Sequence, residues 1–209
     1  TRRRPWIRLP GSGRGPVVWR RGWHSLLRLP AGRLVRMLGL TLVAAGCQVA
    51  VVHGTSPALF GTLVCCFVLG LEVMEPLSQE VDQPDRTSSF PVARGELMLH
   101  HLAAPAVLLV PFTIIGAAGG VAIDAIVTDG SRVGGSLLVA VLLAIAAVYS
   151  GAAGAAISIV RDAPDPTGGS SEVFLPPEMA GFTTVLRTLV PLIVSAIGAA
   201  MALTMSGTS

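Results

Sequence analysis

Between Arg36 and Glu72 the chain contains no Arg, Lys, Asp or Glu. A water-facing helix or strand keeps one polar face, so an uncharged run of this length does not suit one. It suits segments that cross a bilayer, where about 20 apolar residues cover a hydrocarbon core of roughly 30 Å. The whole chain has the same character: 52% of the 209 residues are apolar, only 13% are charged, and the mean hydropathy is +0.70. Soluble domains carry about 25% charged residues. The sequence predicts an all-α integral membrane bundle.

Five spanning helices are expected, over Leu34–Val52, Ala58–Leu77, Leu97–Ile123, Gly134–Val160 and Val185–Met205. Together they make a transmembrane domain over residues 34–206, preceded by a basic segment at 1–33. Arginine placement gives the orientation. Ten of the fifteen Arg precede residue 37, Arg86 and Arg94 lie in the 78–96 loop, and Arg161 and Arg187 flank the next loop on the same side. Only Arg132 falls on the opposite face. The excess of positive charge expected on cytoplasmic loops puts the N-terminus on the cytoplasmic side of the cell membrane and the C-terminus outside.

All fifteen basic residues are Arg, which points to GC-rich coding and an actinobacterial source. The opening TRRRPW has neither the apolar core nor the cleavage site of a signal peptide, so the start reads as trimmed or as the edge of a longer polypeptide. Cys47, Cys65 and Cys66 lie in apolar runs and behave as small hydrophobes. No metal or cofactor site is expected. Walker A, His-Glu-x-x-His, Cys-x-x-Cys and Gly-x-Ser-x-Gly patterns are all missing, so the chain reads as a non-enzyme. The basic tract precedes a membrane helix and is read as facing lipid, not nucleic acid.

Four features could carry function. In PVVWRRGWHSLLRLP, Trp19, Trp23, Leu26 and Leu27 share one helical stripe opposite Arg20, Arg21, His24 and Arg28. This is an amphipathic helix suited to the headgroup layer, with the two Trp as interfacial anchors and Arg held by anionic lipid. The inner loops DQPDRTSSFP and DAPDPTGGSSEVFLP echo one another, Asp82 and Asp85 recurring as Asp162 and Asp165; Asp-x-Pro-Asp turn chemistry or an internal duplication explains this. Glu72 and Glu75 share a helix face at the cytoplasmic end of the second helix, and Asp124 lies at the outer end of the third. Gly116 with Gly120, and Ser150 with Gly154, have the four-residue spacing that lets helices pack closely. His100 and His101 diverge by about 100° and read as interfacial polar residues, not a metal pair.

The stretch DRTSSFPVARGELMLHHLAAPAVLL resembles the cytoplasmic elbow of ABC-2-type exporter permeases, where the pattern runs approximately R…LPVSRRELLLAKLL. Arg86, Phe90, Pro91, Val92, Arg94, Glu96 and Leu97 occupy the matching positions. Phe90 stands where the family has Leu, and Ala93 where a capping Ser or Thr is common. The lead-in VVWRRGWHSLLRLPAGRLVRM is similar to the one preceding the first helix of such permeases, and the two matches cover about a quarter of the chain. The resemblance implies the membrane-spanning component of an exporter whose ATPase is another chain. It implies pairing with a second copy or a second permease half. It also makes Arg20, Arg21, Arg86, Phe90, Pro91, Arg94 and Glu96 contacts for the ATPase. The five expected helices are one short of that family's usual six. A membrane scaffold or assembly subunit and an ion-coupled transporter are the alternatives; the second calls for acids at mid-membrane, and no expected helix centre has one.

Overall fold

The computed structural model describes residues 17–82, 94–129, 133–161 and 177–206, and among these no strand occurs. Seven helices follow in order: α1 Val17–Leu26, α2 Ala31–Val52, α3 Ala58–Val73, α4 Glu75–Val81, α5 Arg94–Val127, α6 Val133–Arg161 and α7 Pro177–Ser206. Three are long and apolar enough to cross a membrane: α2, Gly95–Val127 within α5, and Leu137–Val160 within α6. The bent pair α3–α4 makes a fourth if counted as one span, and the shorter apolar segment Leu189–Met201 lies within α7. Phe60, Ile114, Leu138 and Ile193 are all more than half exposed. Outward apolar side chains on every long helix are what a membrane protein presents to hydrocarbon.

The expected second helix, Ala58–Leu77, is not continuous. It breaks at Met74, and α4 leaves at 61° to α3. Pro76 is the cause: it has no N–H to bond the Glu72 carbonyl, and its ring clashes with a continuing helix. It fits within the first turn of a new one, where an N–H would be unpaired in any case. The Met74 carbonyl restarts the ladder, accepting from Leu77 and Ser78 at 3.0 and 3.1 Å.

Helix α6 is the hub, packing against α7, α3 and α5, while α2 packs against α3 and α5. Its inner face is a ladder of small residues, with Ala144, Ala147, Val148, Ala152, Ala155 and Ala156 all buried. Where α3 crosses it, backbones touch: a Cβ on Gly151 would fall 2.6 Å from the Cys66 carbonyl, and one on Gly70 2.8 Å from Ala152 Cα. Helix α7 seats in the same way. A Cβ on Gly154 would meet the Pro191 carbonyl and the Ser195 hydroxyl, and one on Gly198 the Ala146 carbonyl. Ser150 donates across this seam to the Ser195 carbonyl at 3.0 Å, and the Ser195 hydroxyl caps the Pro191 carbonyl at 3.0 Å. The Ser150–Gly154 spacing therefore marks a real contact. Gly116 lies 3.2 Å (as a Cβ) from the Thr41 methyl, but Gly120 faces open space, and the neighbour that packs is Gly119 against Leu42.

Candidate functional site: the polar end of the bundle

Charge collects where α2 begins, α3 ends, α4 runs and α5 begins. Arg33 pairs with both Glu72 and Glu75, and Arg36 with Glu72. The two Arg come from the first turns of α2, and the two Glu flank the break at Met74. Antiparallel α2 and α3 bring the start of one beside the end of the other, so the charges meet. The Glu72 side chain is 11% exposed and the Arg33 side chain 25%. At this depth a carboxylate stripped of its partner would be left poorly solvated, a loss of about 3 kcal/mol or more. Both acids singled out in the sequence are thus held by cations, and neither leads into the span.

One turn further, Glu80 and His101 form a second pair, Oε2 to Nε2 at 3.7 Å, both about 4% exposed. The Leu97 carbonyl lies 2.8 Å from His101 Nδ1. A carbonyl can only accept, so Nδ1 carries hydrogen and Nε2 is the nitrogen turned to the carboxylate. His100 makes the same bond to the Glu96 carbonyl at 2.8 Å, but on the exposed side. The two histidines diverge, one outside and one in the core.

Helix α1 closes this end by packing on α5 and α4. Trp19 and Trp23 meet edge to face, centroids 5.7 Å apart at 75°. Both are partly buried against the core cluster that includes Leu26, Leu29 and Leu77. Their rings therefore contact protein, in addition to the interfacial position that the sequence suggests for them. Arg20 is half-buried, and among the described residues its Nε has no hydrogen-bond partner. Glu96 is exposed in the first turn of α5. Arg94 opens that helix, but its side chain and that of Arg21 lie outside the described residues, as do Arg86, Phe90, Pro91 and the 162–176 echo. Among the described residues α1, α4 and the start of α5 bound a cavity of about 390 Å³, with His24, Arg28, Glu75, Gln79, Glu80 and His101 on its lining. No cluster of three His, Cys, Asp or Glu able to hold a metal occurs among the described residues.

The far end is simpler. His53, just past α2, meets Asp124 of α5 at 2.8 Å, and the buried Gln48 donates to the Leu143 carbonyl at 3.0 Å. The sequence reading noted Asp124 but had no partner for it; two polar residues at the same end of neighbouring helices were the available signal.

Compared with protein-family models, curated proteins and solved structures, the chain matches none of them.

Proposed function

We propose that the chain is the membrane-spanning permease component of an ABC-type exporter, driven by ATP hydrolysed on a separate ATPase chain. The resemblance at residues 86–97 supplies the class, and one structural observation supports it: α1 rests on α4 and α5 at the end where the charged residues gather. The 83–93 segment joins α4 to α5 at that same end. A push on it reaches α1, α4 and α5 together, which is what transmission from a docked ATPase requires. In this reading the bundle has five spans, with α3–α4 and α7 among them. The polar end is cytoplasmic, the chain's end at α7 is outside, α1 lies along the plasma-membrane surface, and a second copy or permease half completes the path. Arg20, Arg21, Arg86, Phe90, Pro91, Arg94 and Glu96 form the docking face, Glu96 being exposed for it.

The test is co-expression with an ATPase encoded beside this chain, followed by pull-down. Arg94→Glu and Glu96→Arg should each lower the recovered ATPase about tenfold, as charge reversals at a paired interface do. Recovery unchanged by both would reject the exporter reading and leave a scaffold. Orientation is read separately: an impermeant maleimide should label a cysteine at Asp129 in whole cells and spare one at Asp82.

A further inference from the structure

Between α5 and α6 lies a half-open groove of about 500 Å³ whose lining is almost wholly apolar. Val110 and Ile114 of α5 and Leu137 and Ile145 of α6 line it, and each is 44% or more exposed. Thr113 and Ala117 line it too, and both are buried. Large exposed side chains thus flank small buried ones. The two hydroxyls of the lining need no ligand. Thr113 donates to the Leu109 carbonyl and Tyr149 to the Ala106 carbonyl, each at 3.0 Å.

The groove has a definite length. Val110 and Tyr149 lie within about one residue of the midpoints of the apolar spans Gly95–Val127 and Leu137–Val160. From Tyr149 the lining continues toward the far end as far as Leu137, about 18 Å along α6. One leaflet of a ~30 Å hydrocarbon core is about 15 Å deep. At the inner limit the Tyr149–Ala106 bond ties the two helices together. The groove therefore runs through one leaflet and stops at the middle of the bilayer.

Its thickness selects the occupant. About 500 Å³ spread over about 18 Å leaves a section of about 28 Å², a third of the ~80 Å² of a helix about 10 Å across. Its walls also fall far short of the about 800 Å² per partner that a stable protein interface buries. A helix from a second copy is too wide; a single hydrocarbon chain is not. Nor is α6 free to move over and close the gap, because backbone contacts at Gly151, Gly154 and Gly198 hold it against α3 and α7. A void left there would forfeit dispersion contacts along its whole lining.

We propose that this groove holds one acyl chain of a phospholipid from the leaflet away from the polar end, its methyl end toward Tyr149. A lipid tail gains nothing hydrophobic by leaving its neighbours, so shape retains it: fixed side chains pack a chain that the bilayer leaves loose. The proposal rests on the membrane setting of α5 and α6 and needs no ATPase, so its test omits one.

The full chain is reconstituted in phosphatidylcholine vesicles with a trace of phosphatidylcholine carrying a diazirine near the methyl end of one acyl chain. After irradiation, peptide mass spectrometry locates the adducts. Thr113, Ile145 and Tyr149 should be labelled about fivefold more than Val43 and Ile193, which are exposed near the middles of α2 and α7. Ala118→Phe and Ile114→Trp, both at exposed positions, fill the groove and should each lower its labelling about fivefold. Ile126→Phe, outside it, should leave labelling as in the parent. Thermal melts of all three should match the parent, which separates lost binding from lost folding. Even labelling of all outward faces, or indifference to both fillers with parental melts, leaves only the lipid that surrounds any bundle and overturns the site. Displacement of the label by equimolar oleic acid assigns the groove to a free fatty acid and overturns the phospholipid. A disulfide between chains carrying Ala118→Cys places a second copy there and overturns the lipid.

Discussion

The two halves of this bundle are held together by opposite means. Along the α3–α6–α7 seam, glycine, alanine and serine let backbones touch, and most of the atoms a Cβ would meet are backbone ones that cannot move aside. At the polar end, α2, α3, α4 and α5 meet through charged side chains, and a cavity lies where α1 closes over them. Lipid offers no hydrophobic drive for one helix to leave it for another, so close van der Waals contact is what remains in the span. Near water, charge pairing becomes available, and long side chains can re-pair as elements shift. The first arrangement fixes a geometry; the second leaves room for it to change.

That contrast can be broken most violently at the seam. Gly198→Val should abolish folded, monodisperse protein in size-exclusion chromatography, because the added carbons would enter the Ala146 carbonyl and the Ser150 hydroxyl. Next in size is Glu72→Gln, which leaves Arg33 with Glu75 and takes from Arg36 the carboxylate it pairs with, and should cost about 3 kcal/mol in a denaturation titration. Adding Arg36→Gln should return part of that loss, and full additivity of the two would mean they are not coupled. Ser150→Ala removes one inter-helix hydrogen bond to Ser195 and should cost about 0.6 kcal/mol, the usual scale in membrane bundles. Smallest is Gly120→Ala. Its Cβ meets nothing, so the change should be neutral or stabilise by up to about 1 kcal/mol through helix propensity. A large loss there would place a neighbour against Gly120.

Much of the seam was legible in the sequence, because long apolar runs and small residues spaced by four have few other uses. The α2 and α6 bounds fall within a few residues of expectation. The break at Met74 was not anticipated, although Pro76 is in plain view: a 20-residue apolar run already fits one span, and length overrode the proline. Near the polar end, charges were legible but pairings were not. Arg33 and Arg36 were counted for orientation and Glu72 and Glu75 weighed as acids, yet partnership needs the lateral placement of α2 beside α3, which no local pattern encodes. The Trp19–Trp23 stripe shows the same limit, since a periodic apolar face has one appearance whether it meets lipid or protein.

The corner at Met74 also has a mechanical meaning. Seven residues at 1.5 Å each make α4 an arm about 10 Å long, so a 10° swing about the corner carries its tip nearly 2 Å. The arm holds Glu75 at its root and Glu80 near its tip. A small rotation would hardly disturb the pairing with Arg33, yet it would shift Glu80 by about 1.5 Å against a separation of 3.7 Å from His101. The corner is a crank with its charged grip near the fulcrum and its buried one at the rim.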